Sequence, residues 1–482
     1  MKKITINPVT RANSPFVVEV TVDGGKVVEA KCSVQFFRGF ELILRGRDPR
    51  DASYLTERVC GICSSAHGTA AAFALEDAAG VRPPHNGNIL RNLILGADLL
   101  QNHIRHFYLL SLPDYVRGPN LPPFVPGYKK DFRLPSRVNE AMLNNYYEAL
   151  EIARLAHEMV ALFGAKAPFP HSILAGGSTV APAADVVMNF RSKLQKINDF
   201  IANRMIPDAH TLAGVYDDYY SIGGRNADML VFGIFPRDQY DRERYFPFGA
   251  VLDGQLYQVD LQAIREDVSH AWYIGGVGQP GGDYGVAGNL YGKGMQNKQA
   301  LPDREKQGAY TWVKAPRYKG RAVEGGSLAR LWVRGDYRHG VSTMDRIMAR
   351  VLETQKVGQL MEGWLEELRP GEPVYKPFKI PQKATGVGLT GAMRGPLGHW
   401  LRIEKGRIAG YQIITPTAWN MSPRDAGGQP GPMEQALLNT PVADENEPIE
   451  ISRVVRAFDP CSACATHVIA PGKSLREFII PV

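Results

Sequence analysis

Two Cys-x-x-Cys pairs stand at opposite ends of a 482-residue chain, Cys60/Cys63 in ERVCGICSSAH and Cys461/Cys464 in FDPCSACATH, and a histidine follows each. A fold that joins them puts four thiolates around one soft-metal centre, which only the folded chain can assemble. Two other chemistries use such pairs. A structural zinc knuckle also takes four cysteines, but its pairs commonly lie about 15 to 20 residues apart, not at the two ends of a long chain. A thioredoxin-type redox pair could use Cys-Gly-Ile-Cys at a helix start, where a thiol pKa falls. It accounts for one pair and leaves the other without a role.

The cysteine count adds a constraint. Of five cysteines, four are paired, and Cys32 in EAKCSVQF reads as a buried small residue at a strand end. No thiols remain for an iron–sulfur cluster, so electrons from any redox chemistry at a buried metal must leave through another subunit. Hydrophobic residues make up 44% and charged residues 22%, enough for a substantial core in one large domain. No run of about 18 apolar residues predicts a membrane span, and MKKITINPVT lacks the apolar stretch of a signal peptide. Export is therefore expected to be carried by a partner. The net charge of +7 is modest and its basic residues are dispersed, which argues against nucleic acid and suits a counter-charged protein partner.

Periodicity predicts an α+β chain that is predominantly helical. Val17 to Val22 and Lys26 to Ala30 flank Asp23-Gly24-Gly25 and predict an N-terminal β-hairpin. SSAHGTAAAFALEDAAG predicts an alanine-rich helix capped by Ser64 or Ser65 and ended by Gly80, with Cys63 and His67 at its positive end. Apolar recurrence predicts further long helices at 88–111, 137–164, 184–204 and 341–368. The stretch 207–335 reads as loops and short strands on that helical body.

Read outward from the cysteines, Glu57, Arg58, Cys60, Gly61, Cys63 and His67 form R-x-C-G-x-C-x-x-x-H, and Asp459, Pro460, Cys461, Cys464 and His467 form D-P-C-x-x-C-x-x-H. Together these resemble the two signatures of nickel-iron hydrogenase large subunits. FRGFELILRGRDPRDA (37–52), GAMRGPLGHW (391–400) and TPTAWNMSPRDA (415–426) extend the resemblance over nearly the whole chain. It implies the hydrogenase large-subunit fold as one domain over 1–467, and catalysis of dihydrogen cleavage in the manner of the respiratory uptake branch.

Heterolytic cleavage needs a metal electrophile, a base for the proton and a dry pocket. The resemblance makes Cys60 and Cys461 terminal ligands of nickel, Cys63 and Cys464 bridges from nickel to an iron that carries carbon monoxide and cyanide, and Cys461 the proton acceptor. It places the Arg394 guanidinium over the metals, Asp114 and Asp459 around that arginine, Thr417 as a donor to cyanide and His67 beside a bridging thiolate. Glu41 and His467 match ligands of a separate magnesium or iron(II) ion, although Glu41 could instead pair with Arg38, Arg45 or Arg47. In the family the chain is cleaved after this histidine once nickel is loaded, so residues 468–482 resemble the tail of an unprocessed precursor. The implied partners are an iron–sulfur small subunit, a maturation endopeptidase, nickel-insertion proteins and, through the complex, a membrane cytochrome or other acceptor. The implied destination is the periplasmic side of a membrane after assembly in the cytoplasm.

Two positions depart from the family pattern. Asn13 in PVTRANSPF stands where relatives carry a glutamate that relays protons, which an asparagine cannot do by changing charge. Met393 replaces a proline before Arg394. Two other classes remain as alternatives: a hydrogen sensor, whose relatives generally lack the cleaved tail, and a metal-free scaffold, whose relatives have lost the cysteines.

Overall fold

A computed structural model describes residues 1–125, 127–237, 243–274 and 301–465, with the backbone of 284–285. His467 and the tail 468–482 lie outside the described residues.

The N-terminal hairpin forms as predicted, with β2 (Val17–Asp23) paired to β3 (Lys26–Ser33), and gains an outer strand, β1 (Lys2–Ile6), in a sheet of order β1-β2-β3. The alanine-rich segment forms α1 (Ser64–Ala79) and ends at Gly80, whose φ of 63° suits a residue without Cβ. Neither serine caps it. Cys63 occupies the cap position, Ser64 Oγ accepts from Phe169 N at 3.1 Å, and Ser65 Oγ donates to Asp98.

Four long helices form the body: α2 (His85–Arg105), α3 (Ser136–Gly164), α4 (Ala184–Phe200) and α6 (Thr343–Glu367). Two run on past their expected ends. After α2 the chain stays coiled through a wide π turn over His106–Ser111 and a tight turn over Leu112–Asp114, where Pro113 has no N–H to continue the ladder. After α4 a π turn over Ile201–Met205 leads into a helix over Ile206–Val215, so that Pro207 falls at a helix start where its missing N–H is harmless. The described parts of 207–335 hold short strands such as Met229–Val231 and Gly249–Leu252, and also α5 (Ser327–Arg334), a helix the sequence reading did not anticipate.

A long antiparallel sheet over 383–414 was likewise not anticipated. It comprises β4 (Lys383–Ala392), β5 (Gly395–Glu404) and β6 (Arg407–Ile414). Glycines obscure its alternation, yet they are the reason it packs so tightly. A Cβ on Gly388 would stand 1.9 Å from the Ala70 carbonyl oxygen, and one on Gly386 would stand 2.0 Å from that of Ala74. The small face of α1 therefore lies directly on β4, and this close approach fixes the helix that starts at Cys63 relative to the β4–β5 turn.

Candidate metal centre

The centre is built from three pieces of backbone. The first is the loop from the helix over Asp51–Glu57 to the start of α1, carrying Cys60 and Cys63. The second is the β4–β5 turn, where Ala392 pairs with Gly395 and Met393-Arg394 form the two-residue connection. The third follows α8 (Ile449–Ala457) and carries Cys461 and Cys464, while α7 (Pro416–Asn420) closes one side.

These pieces bring the four paired cysteines together, all buried. Sγ of Cys60 lies 3.3 Å from Sγ of Cys461, Cys63 lies 3.3 Å from Cys464, and Cys464 lies 3.2 Å from Cys461. Cys32 is buried elsewhere, against Glu434. The Ile62 N–H donates to Cys60 Sγ at 3.3 Å. With the thiols of Cys461, Cys464 and Cys63 directed at it, Cys60 is held well below the ordinary thiol pKa, whereas burial pushes Cys464 well above it. Sulfurs at this spacing without a disulfide repel one another as thiolates, and a cation removes that conflict.

Two buried nitrogens beside the sulfurs have no hydrogen-bond partner. Arg394 spends Nε on the Asp459 carbonyl (2.7 Å) and Nη2 on Asn102 Oδ1 (2.7 Å) and Asp459 Oδ1 (3.2 Å), leaving Nη1 unpaired. His67 has Nδ1 at 3.2 Å from His399 Nε2, and Nε2 is unpaired. His399 Nδ1 in turn lies 2.8 Å from the Tyr411 hydroxyl. Donor atoms of Cys63, His67 and Cys464 fall within 4.8 Å of one another, so the histidine sits at the Cys63/Cys464 side of the cluster. Burial lowers its pKa to about 4, leaving the imidazole neutral near pH 7. Four soft donors with two unsatisfied polar groups fit a metal centre bearing hydrogen-bond-accepting ligands.

The other predicted residues divide. Thr417 Oγ1 accepts from the Cys461 N–H at 3.1 Å, which leaves its own proton available to donate. Asp459 accepts from Arg394 Nη2 at 3.2 Å. Asp114 does not: it accepts from Arg11 and, at 2.6 Å, from Arg456 Nη1, with no hydrogen bond to Arg394. It ties the tight turn over Leu112–Asp114 to Arg456 of α8 and so lies at one remove from the cysteines. Glu41 is buried, with Oε1 accepting from Ile413 N at 2.9 Å and Oε2 3.8 Å from Lys314 Nζ, and its charge also acts on Arg45, one of the arginines considered above. Its cavity is also lined by Glu266, Tyr273 and Ala465. Burial opposes the charge on Lys314, yet Glu266 and Glu41 hold it above its ordinary pKa.

Sequence reasoning missed the contacts that tie the motifs together. Arg38 donates to the carbonyls of Val59 and Ala463, stitching one cysteine motif to the other. Asn102 donates to Asp459 Oδ2 at 2.9 Å, and Asn13 donates to Asp459 Oδ1 at 3.1 Å while its backbone bridges Cys461. A buried polar stripe on α2 was the available signal, since Asn92, Asp98, Asn102 and His103 share a helix that packs inside the molecule. Burial raises Glu57 to about 9 and Asp98 to about 7, so both carboxyls can hold protons near neutral pH.

Comparison with known proteins identifies the family of the chain. Residues 38–121 and 116–467 match the family described as nickel-dependent hydrogenase. The chain is 39% identical to the periplasmic NiFeSe hydrogenase large subunit of Desulfomicrobium baculatum, over 97% of this chain and 95% of that protein. It is 32% identical to the hydrogenase-1 large chain of Escherichia coli (strain K12), over 97% and 95%. Identity to the uptake hydrogenase large subunit of Bradyrhizobium diazoefficiens is 31%, over 98% and 96%. Among solved structures, the NiFeSe hydrogenase of D. baculatum superposes with a TM-score of 0.91, covering 97% of this chain and 100% of that one at 39% identity. With four buried thiols converging from both ends of such a fold, the chain belongs to the nickel-dependent hydrogenases, as the catalytic large subunit of an oxidoreductase that acts on dihydrogen.

Proposed function

We propose that Cys60, Cys63, Cys461 and Cys464 would hold a nickel-iron centre whose iron carries carbon monoxide and cyanide. The single observation that carries this reading is the convergence of four buried sulfurs at 3.2–3.3 Å beside unpaired nitrogens of Arg394 and His67. When bound, the centre supplies the Lewis acid and electron acceptor for heterolytic cleavage of dihydrogen.

The chain's own residues do the rest. Cys461 would take the proton. Arg394 directs Nη1 toward the reacting site and is held there by Asp459 and Asn102, a charge fixed in advance in a dry pocket. Thr417 and His67 donate to ligands of the centre, and His399 orients His67. Glu57 and Asp98 are the buried carboxyls able to pass a proton on, in place of the glutamate that Asn13 lacks.

Glu41, Glu266 and the backbone around Ile413 line a site for a magnesium or iron(II) ion, with His467 as a further ligand. Ala465, the last described residue, lines the same cavity, which supports this reading. Residues 1–467 make the mature subunit, and 468–482 are removed by an endopeptidase after nickel insertion. Electrons pass to an iron–sulfur small subunit and onward to a cytochrome or other acceptor on the periplasmic side. The periplasmic assignment of the D. baculatum relative supports that destination. No described helix is long and apolar enough to cross a membrane.

Co-expression with the small subunit and maturation proteins, followed by metal analysis and hydrogen-dependent viologen reduction, tests the proposal. Near-stoichiometric nickel and iron with activity is expected. Zinc alone would overturn it, and nickel without activity would favour a sensor.

A further inference from the structure

We propose that Arg330 is a positioning residue that aims Arg394 at the metal centre by holding the backbone of the turn that carries it. The proposal rests on the reading of Arg394 given above. Arg330 lies on α5, is 1% exposed and touches none of the four cysteines. Its Nη1 donates to the Ala392 carbonyl at 2.8 Å and its Nη2 to the Met393 carbonyl at 3.1 Å, the two carbonyls immediately before Arg394. The carbonyl of Arg394 itself accepts from Asn420 Nδ2 at 3.1 Å. All three carbonyls of the turn are thus captured by side chains, two of them by one guanidinium.

That guanidinium is itself fixed. Its Nε and Nη2 grip Glu353 of α6, which is fully buried, with Nη2 to Oε2 at 2.7 Å. The same Oε2 lies 2.9 Å from His103 Nε2 of α2. Three helices therefore meet at the turn through one ion pair. On the far side the turn is wedged against Gly325: a Cβ on Gly395, at φ 141°, would lie 2.9 Å from the Gly325 carbonyl carbon. Met393 has no ring to fix its φ, so these hydrogen bonds set the aim of the arginine.

A buried ion pair contributes little net stability compared with neutral residues of similar shape. If Arg330 and Glu353 served only to hold the fold, removing both charges together would leave the enzyme intact. If Arg330 positions Arg394, stability and turnover separate.

The test uses the assembled heterodimer with its metals. Four proteins are compared: wild type, Arg330→Met/Glu353→Gln, Arg330→Lys, and Arg394→Lys as reference. The readouts are metal content, thermal midpoint, kcat and KM for hydrogen, and the infrared bands of the iron's cyanide ligands. The double variant is expected to keep metals, to lower the midpoint only by what the two unpaired turn carbonyls cost, to lose kcat at least about tenfold with little change in KM, and to shift the cyanide bands as Arg394→Lys does. Arg330→Lys, which keeps the charge and one bond to the turn, is expected to recover part of both. A loaded double variant, or a loaded Arg330→Lys if the double variant does not fold, with wild-type kcat and bands overturns the proposal. Unchanged turnover and bands in Arg394→Lys overturn the reading of Arg394, and this proposal with it.

Discussion

Arg394→Lys keeps the positive charge and removes the geometry. The guanidinium distributes three nitrogens: Nε and Nη2 reach the Asp459 carbonyl (2.7 Å), Asn102 Oδ1 (2.7 Å) and Asp459 Oδ1 (3.2 Å), while Nη1 alone has no protein partner. A lysine has one nitrogen for both tasks. Asp459 is a buried carboxylate held low by Arg394, His106 and Arg350 against the cost of burial, so it draws the ammonium away from the thiolates. What is lost is one donor preorganised in a dry site, worth about 10²- to 10³-fold in kcat, or roughly 3 to 4 kcal/mol of barrier. The acceptor left without a partner adds about 1 to 3 kcal/mol of lost stability. Metal content should not change, because no ligand is touched. Hydrogen-dependent viologen reduction normalised to nickel measures the effect. A loaded Arg394→Lys enzyme within threefold of wild type would refute the assignment of Nη1 to the reaction.

Three other outcomes follow from the same structure. Cys461→Ala should abolish nickel incorporation and turnover while Cys32→Ala leaves both, and nickel bound at full occupancy in the first variant would contradict the ligand set. Gly388→Ala should cost at least about 2 kcal/mol and lower metal content, because its Cβ would stand 1.9 Å from the Ala70 oxygen and lift α1 off the sheet; the neutral comparison is Gly214→Ala, with nothing within 4 Å, and equal melting temperatures for the two would refute the packing account. Burial raises the Glu434 carboxyl to about 7, so its contribution is fully present below the unfolded value near 4.3 and is lost as pH rises through about 7, roughly 4 kcal/mol in all. Glu434→Gln should therefore flatten the fall in thermal midpoint between pH 5 and 8, and an unchanged slope would place the titration elsewhere.

The four cysteines that cluster were legible because soft-metal chemistry restricts residue type so strongly that two short motifs carry it. The long helices were legible from their period, and their ends were not, because π turns at 106–111 and 201–205 let the chain coil past Pro113 and Pro207. The sheet over 383–414 escaped because its glycines, which admit α1 at backbone contact, erase the alternation that marks a strand. An arginine between glycines reads as a surface turn residue. Arg394 is a turn residue, but the turn points inward, and only tertiary structure supplies that fact. Asp114 shows the converse: a motif match located it near the centre, yet Arg11 and Arg456 claim its carboxylate.

Asn13 illustrates how a departure from a family pattern becomes intelligible once neighbours are known. Its backbone fixes the second cysteine motif, accepting from the Ser462 N–H at 3.1 Å and bridging Cys461. Its side chain donates to Asp459 Oδ1, and Asn102 donates to Oδ2. A carboxylate reaching the same place as either amide would set like charges at hydrogen-bond distance in a buried site, where one of them must take up a proton. Two carboxamides instead leave the negative charge on Asp459 and the positive charge on Arg394, with every oxygen of the carboxylate occupied. Asn13 thus stands beside the second cysteine motif as a fixed donor to the carboxylate that holds Arg394. Burial raises the Glu57 carboxyl to about 9 and that of Asp98 to about 7, which makes these two the proton carriers in the proposed function.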